Sequence, residues 1–180
     1  IAERAGNTKT YGLLEAEFEI HDVHADLKVG LFARPKTYRA WVRFGGPGPL
    51  VVPDIKDNGV LSIGVKLLGV EGRKLLEDEA DTLDFSGISA PTFTTPDVVE
   101  NLKLQQRIGA GMSVWYFLNP FDSHYSDMIL QGLYAKAHGS PFETSYHSCV
   151  PYLYGQGQAY KFRFRPRLAG RSRVPFRRCP

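Results

Sequence analysis

Two segments in which side chains alternate in character constrain the fold of this chain most. In residues 14–20 (LEAEFEI) apolar side chains alternate with glutamates, and in residues 38–44 (YRAWVRF) Tyr, Ala, Val and Phe alternate with Arg, Trp and Arg. Because side chains alternate across a strand, a period of two puts each set on its own face. Both segments therefore predict strands with one buried face.

Other strand signals surround these two segments. Residues 60–70 are rich in branched side chains and are followed by Glu71-Gly72, a pair that suits a hairpin turn. Strands are also predicted over residues 83–87, 146–152 and 158–165. No regular alternation of strands with helices is seen, which argues against a doubly wound parallel sheet.

Two helices are expected in the middle of the chain. Residues 95–97 (TPD) combine a capping threonine, a proline for the first turn and an early acid, which predicts a helix that ends near Ile108. Residues 122–123 (DS) offer a second cap, for a helix over 125–134 with apolar side chains at helical spacing. The order of strands, helices and strands predicts an antiparallel α+β domain built on a barrel or a curled sheet.

The composition limits the expected location and partners. The chain has 180 residues, 43% of them hydrophobic, and no apolar run approaches the roughly 18 residues that cross a bilayer. Its two cysteines, Cys149 and Cys179, fit neither a disulfide framework nor a zinc site, and Cys149 is expected to be a buried, inert thiol. We therefore expect a cytoplasmic protein with no membrane span. A homo-oligomer is one of the states open to it.

Positive charge is concentrated at the end of the chain, where eight Lys and Arg residues and no acid follow residue 160. Lys161, Arg163 and Arg165 alternate with aromatic residues, which predicts a strand with one wet face. No helix-turn-helix, zinc-finger or RNA-recognition signature accompanies them, so we expect no nucleic-acid partner. Residues 1–167 are predicted to form one domain, and residues 168–180 to be mobile because they contain few apolar groups.

Several other chemistries have weaker support. Residues 21–26 contain two histidines and two aspartates that can hold a metal ion, but a solvated polar loop explains them equally and spacing places no further ligand. Residues 154–157 (YGQG) lack the third glycine of a dinucleotide site. Ser89 and Ser113 lack the flanking glycines of a nucleophile elbow, so a hydrolase triad is unsupported.

Three segments, in this order and spacing, resemble the catalase superfamily, and in particular its small bacterial catalase-like proteins. They are residues 7–12 (NTKTYG) leading into 17–20 (EFEI), residues 38–44 (YRAWVRF), and residues 64–70 (GVKLLGV) with 84–91 (DFSGISAP). The resemblance covers residues 4–165. It implies the N-terminal part of a catalase-type fold, an antiparallel β-barrel core with flanking helices that holds haem b against one face and is incomplete in this chain.

The resemblance also implies roles for particular residues. Arg43 matches the arginine that pairs with a haem propionate, and a guanidinium is a planar fork suited to a carboxylate. A surface arginine on a strand is the alternative reading of Arg43. Thr8 takes the position of the distal histidine, with Asn7 beside it as a second hydrogen-bond donor. The distal asparagine matches Ile88 or Ser89.

The function implied by the resemblance is a haem-dependent oxidoreductase or lyase that processes organic hydroperoxides. Its candidate catalytic residues are Thr8, Asn7 and Ser89, and Arg43 is the candidate cofactor-binding residue. Thr8 cannot act as a base near neutral pH. The axial tyrosine matches a position beyond Pro180, so no metal ligand is assigned. The alternative is a haem-free scaffold of the same fold that binds an apolar ligand or a protein partner.

Overall fold

The computed structural model of the protein describes residues 7–46, 51, 58–74 and 81–167. The strands are β1 (Thr10–Ile20), β2 (Lys36–Gly45), β3 (Asn58–Gly59), β4 (Ser62–Leu68), β5 (Thr82–Ile88), β6 (Lys136–Ala137), β7 (Tyr146–Ser148), β8 (Tyr152–Leu153), β9 (Ala159–Tyr160) and β10 (Arg163–Phe164). The helices are α1 (Val98–Gly109), α2 (Ser113–Leu118) and α3 (Tyr125–Tyr134), with 3-10 turns at Ala25–Leu27 and Gly30–Ala33. Residues 168–180, predicted to be mobile, lie outside the described residues.

Six strands form one antiparallel sheet in the order β1-β2-β4-β5-β7-β10. The longest ladder joins β1 to β2, from Thr10 opposite Gly45 to Ile20 opposite Lys36. β4 pairs along its whole length with β5, and β7 and β10 follow. Two short ladders, β3 with β6 and β8 with β9, are separate from this sheet. The predicted α+β class and the antiparallel arrangement are confirmed.

One face of the sheet carries the hydrophobic core. Its most buried members are Ala40, Phe44, Leu61, Ile63, Val65, Leu67, Val70, Phe85 and Tyr146. Aromatic packing extends this core, because the Phe85 ring centroid lies 5.7 Å from that of Phe18 and 5.3 Å from that of Phe162. The alternation predicted for β1 and β2 is confirmed, since Glu15, Glu17 and the other polar members of the two sets face away from the core.

The sheet is curled but open. Strands β1 and β10 are its two ends, and within the described ranges they do not pair with each other. Of the two predicted forms, a barrel or a curled sheet, the structure has the second. The predicted strand over 146–152 is broken into β7 and β8, because Pro151 has no N–H to donate to a ladder. The predicted strand over 158–165 is likewise divided into β9 and β10.

Helix α1 has a different cap from the predicted one. The carboxylate of Asp97 accepts hydrogen bonds from the N–H groups of Val99 at 2.8 Å and Glu100 at 2.9 Å, so Asp97 is the N-cap. Thr95, the predicted cap, is buried, and its hydroxyl accepts a hydrogen bond from the Asn101 amide at 3.3 Å. The helix is therefore confirmed and the cap was placed two residues too early.

α2 packs against α1, and α3 packs against α2. α3 spans the predicted range, but its N-cap is His124 rather than Asp122 or Ser123, and the His124 side chain makes no capping hydrogen bond. α2 was not predicted, because its sequence SVWYFL has neither a cap nor a polar face. The three helices leave many apolar side chains exposed, Phe121 in the α2–α3 loop most of all. None of the helices in the described ranges is long and apolar enough to cross a membrane.

Candidate functional site

A cavity of about 630 Å³ lies on the face of the sheet opposite the core. Its walls come from β1, β2, β4 and β5, with Asn7 at one side and Cys149 at another. The strands present to it the side chains that alternate with the core residues. Its volume is within the roughly 300–1,000 Å³ that is usual for small-molecule sites.

The register of the strands builds the cavity floor. One row runs across four strands, with Leu13 opposite Arg43, Arg43 opposite Gly64, and Gly64 opposite Ser86. A Cβ atom placed on Gly64 would have no heavy atom within 4 Å. The middle of the floor is therefore a depression between Arg43 and Ser86, where a flat ligand can come close to the backbone.

A second row carries an aromatic ring and two opposite charges. Trp41 is opposite Lys66, and Lys66 is opposite Asp84. The Lys66 ammonium lies 2.9 Å from the Asp84 carboxylate, and both side chains are more than 40% exposed. Such an exposed ion pair contributes about 0–1 kcal/mol to stability, so an anionic ligand can replace Asp84 as the partner of Lys66 at little cost.

Arg43 joins the segment before β1 to the cavity wall. Its Nε donates a hydrogen bond to the Thr10 hydroxyl at 3.0 Å, and its Nη2 donates to the carbonyl oxygens of Asn7 at 2.6 Å and Lys9 at 3.4 Å. Asn7 has a φ of 50°, in the left-handed region that asparagine tolerates better than most residues. These contacts fix the guanidinium plane at the edge of the cavity beside Asn7.

The structure brings together some of the predicted site residues. Asn7 and Arg43 both line the cavity, whereas Thr8 is half-buried and is not part of the lining. Although Asn7 and Thr8 are adjacent in the chain, only Asn7 lines the cavity, so the structure does not bring the two candidate hydrogen-bond donors together there.

Ser89 has a different environment from the other predicted residues. Its hydroxyl accepts a hydrogen bond from the Leu61 N–H at 2.9 Å, and its own N–H donates to the Leu61 carbonyl at 2.8 Å. These two bonds continue the pairing of β4 with β5 beyond the ends of the strands. Of the two positions matched to the distal asparagine, Ile88 is the one that lines the cavity.

The lining residues that the sequence did not single out include Gly64, Lys66, Ser86 and Cys149. The first three lie on the same face of the sheet as Arg43, so the strand register was the available signal. Cys149 is half-buried, and burial raises the pKa of its thiol. It is therefore protonated near neutral pH and a weak nucleophile, as expected for an inert thiol.

His147 adds a polar group at the edge of this face, opposite Ile88 in the sheet. Its Nδ1 is buried and has no hydrogen-bond partner within the described part of the chain. Burial, together with the nearby positive charges of Arg163 and Lys161, lowers the pKa of His147. The imidazole is therefore neutral near pH 7 and has one ring nitrogen left to satisfy.

The histidines and aspartates of residues 21–26 form pairs rather than one cluster. His24 Nδ1 lies 3.2 Å from Asp26 Oδ2, and Lys28 Nζ lies 2.8 Å from Asp22 Oδ1. Over the described ranges, no group of three or more His, Cys, Asp or Glu residues is placed to hold a metal ion.

Models of known protein families and curated proteins were compared with the chain, and neither comparison finds a match. The protein class is therefore defined by the fold and the cavity: an open antiparallel α+β protein with a small-molecule cavity on the outer face of its sheet. The donor set fits haem b in chemical character. Gly64 leaves room for a flat ring, and Arg43 and Lys66 suit anionic groups at its rim.

Proposed function

We propose that the protein binds haem b on the outer face of its sheet and acts as a catalase-like, haem-dependent oxidoreductase or lyase on organic hydroperoxides. The observation that carries this proposal is the row Arg43–Gly64–Ser86, in which a fixed guanidinium borders a depression open to a flat ring. The resemblance of residues 4–165 to the catalase superfamily supports the same location, because Arg43 matches the arginine that pairs with a propionate.

The chain would hold haem b by charge at the rim and apolar contact over the ring. Arg43 is the principal propionate partner, since its contacts with Asn7, Lys9 and Thr10 hold a positive charge in place at the edge of the cavity. Lys66 is a second cation within the same cavity. Leu13, Trp41 and Ile88 supply apolar surface for the ring and for an organic substrate.

The chemistry of the site follows from its polar groups. Bound haem supplies the iron that cleaves an oxygen–oxygen bond. The Asn7 amide lines the cavity and can orient a hydroperoxide by hydrogen bonding. Thr8 is next to it in the chain, at the position matched to the distal base, and neither side chain accepts a proton near neutral pH. Hydrogen peroxide has no other group by which to be positioned, whereas an organic hydroperoxide also contacts the apolar walls. Organic hydroperoxides are therefore the proposed substrates.

Equilibrium titration with haemin, followed by the Soret band, tests the site. Arg43→Gln is expected to weaken haemin binding by about tenfold or more, because it removes a charge-assisted pair with a carboxylate. The matched control is Arg39→Gln, which removes the same charge from an exposed position on the same face of β2, and it is expected to bind as the unchanged protein does.

Two results would contradict the proposal. One is the lack of a saturable Soret change with the unchanged protein. The other is equal haemin affinity in the Arg43→Gln and Arg39→Gln proteins, which would place haemin on another apolar surface. Titration is preferable to a retention assay, because pairing with Arg43 does not replace a bond to iron and the bound haemin is expected to dissociate during gel filtration.

A second candidate function, a haem-free scaffold that binds an apolar ligand or a protein partner, is favoured by exposed apolar side chains outside the cavity. Val98, Phe121 and Leu153 are each more than 80% exposed, and α2 buries Tyr116 alone among its apolar residues. Exposed apolar surface of this extent is typical of a docking region. A haemin titration without a saturable change would favour this candidate over the first.

A further inference from the structure

A second cavity, of about 220 Å³, lies in the helical layer and shares no lining residue with the cavity on the sheet. Residues of α1, including Gln106 and Arg107, line one side of it, and residues of α2, including Trp115, line the other. The loop that joins α2 to α3 closes one end with Asn119 and His124.

The wall at that end is held by stacked and charged contacts. The His124 ring stacks on Tyr116 with centroids 4.2 Å apart and planes 14° apart. His124 Nε2 lies 2.7 Å from one oxygen of Glu100, and Lys103 Nζ lies 2.7 Å from the other. Asp122 lies 3.7 Å from Lys103. Lys103, and His124 when it is protonated, are therefore already paired with carboxylates of the protein.

Arg107 differs from these two cations. It is half-buried in the cavity wall, one turn after Lys103, and its guanidinium makes no hydrogen bond or ion pair with the part of the chain that the structure describes. Its five N–H donors face the open cavity rather than a buried environment. An anion is the ligand group that pairs with them, and the planar fork of Arg107 suits a carboxylate.

We propose that this cavity binds a small organic carboxylate with a planar apolar body. Arg107 receives the carboxylate, Trp115 and Met112 contact the planar body, and the amides of Gln106 and Asn119 are available to its polar substituents. Trp115 and Met112 are about half exposed, so the ligand also covers apolar surface that water now contacts. The volume, below the roughly 300 Å³ lower bound for drug-sized ligands, limits the body to about one ring. The site needs no haem and goes beyond the function proposed above.

Benzoate is the probe, and the indole N–H signals of Trp41 and Trp115 are the readout, because the chain has 2 tryptophans. Two-dimensional nitrogen–proton NMR is expected to show a saturable benzoate-dependent shift of the Trp115 signal and little change at Trp41, which lies on the sheet. Arg107→Gln is expected to weaken benzoate binding about tenfold or more. Arg34→Gln, which removes an exposed arginine elsewhere, is expected to leave it within about twofold.

Arg107→Lys keeps the charge and removes the fork, so an intermediate affinity is expected. An unchanged Trp41 signal in each variant shows that the sheet is intact, and an unchanged far-ultraviolet circular dichroism spectrum shows that the helices are intact. Equal benzoate affinity in the Arg107→Gln and Arg34→Gln proteins would overturn the site. If inorganic phosphate binds as tightly as benzoate, the proposal that the ligand is an organic carboxylate is wrong, because phosphate has no apolar ring to contact Trp115. The absence of a saturable Trp115 shift in the unchanged protein would overturn the proposal altogether.

Discussion

The Tyr116 phenol donates a hydrogen bond of 2.8 Å to the Asp127 carboxylate, and the two residues are 4% and 5% exposed. This pair joins α2 to α3 at the centre of the helical layer. Burial raises the pKa of Tyr116, and the hydrogen bond to Asp127 raises it further, so the phenol is protonated near neutral pH. The Ser126 hydroxyl donates to the other oxygen of Asp127 at 3.4 Å, so Tyr116 is the closer of the two donors to this buried carboxylate.

Tyr116→Phe is therefore expected to lower the free energy of unfolding by about 1.5–3 kcal/mol, because it removes the neutral donor to a buried charged acceptor. Urea denaturation followed by circular dichroism measures the change. The control is Tyr134→Phe, which removes an exposed hydrogen bond of 2.9 Å to Thr92 and is expected to cost less than about 1 kcal/mol. Equal losses of unfolding free energy in the two variants would show that the buried Tyr116–Asp127 hydrogen bond stabilises the protein no more than the exposed one does.

Two glycines of the sheet should respond in opposite ways to alanine. Gly64 has space above it on the cavity face, so Gly64→Ala is expected to leave stability unchanged or raise it by up to about 1 kcal/mol. A Cβ on Gly87 would lie 3.0 Å from the His147 carbonyl oxygen and 3.3 Å from Ile63 Cγ2. Gly87→Ala is therefore expected to cost about 1–3 kcal/mol through overpacking.

The Gly64→Ala and Gly87→Ala variants also distinguish an effect on haemin binding from an effect on stability. Under the proposed function, Gly64→Ala weakens haemin binding because its methyl group occupies the depression in the cavity floor, although the fold is intact. Urea denaturation and haemin titration on both variants measure the two effects. Full haemin affinity in the Gly64→Ala protein would mean that the ring does not approach the backbone there.

His124 is expected to make stability depend on pH. Burial opposes its protonation, but hydrogen bonds to the Tyr116 carbonyl and the Glu100 carboxylate outweigh burial and raise the pKa of His124. Its contribution to stability is therefore complete below the unfolded-state pKa of about 6.5 and is lost as the pH rises through the higher folded-state pKa. We expect the unchanged protein to lose this contribution between mildly acidic and mildly alkaline pH.

Comparing the unchanged protein with the His124→Gln variant isolates the contribution of His124 to the pH dependence of stability. Burial lowers the pKa values of His138 and His147, so their contributions have the opposite sign and are lost as the pH falls. Subtracting the pH profile of His124→Gln from that of the unchanged protein removes both. The remaining stability is expected to be larger at pH 6 than at pH 8, and a difference that is flat or rises with pH would refute the role of the Glu100–His124 pair.

The contrast between Arg43 and Gly64 shows what the sequence could predict of this site. Arg43 was found because it belongs to an alternating strand and to a family-like motif. Gly64 lies at the same level of the sheet, but that fact depends on the pairing of β2 with β4, which no local pattern records. Cys149 reaches the cavity only through the order of strands. The strands were predictable from side-chain periodicity, whereas long-range register decided which residues meet.

The last prediction concerns Thr8 and rests on the proposed function. Dismutation of hydrogen peroxide requires a group that takes a proton from one peroxide oxygen and returns it to the other, and such proton transfer is worth about 100- to 10,000-fold in rate. Thr8 takes the position matched to the distal base, and its hydroxyl cannot take a proton from a peroxide at ordinary pH. An organic hydroperoxide, positioned also by the apolar walls, loses less from the lack of a base.

Thr8→His is therefore expected to raise oxygen release from hydrogen peroxide by a larger factor than it raises turnover of a fatty-acid hydroperoxide, both measured on haem-loaded protein. An oxygen electrode follows the first reaction, and loss of the hydroperoxide follows the second. Thr37→His, which places a histidine at an exposed position near the far end of β2, controls for histidine as a general buffer and is expected to change neither rate. Vigorous oxygen release with Thr8 intact would show that another group moves the proton and would exclude the assigned role of this position.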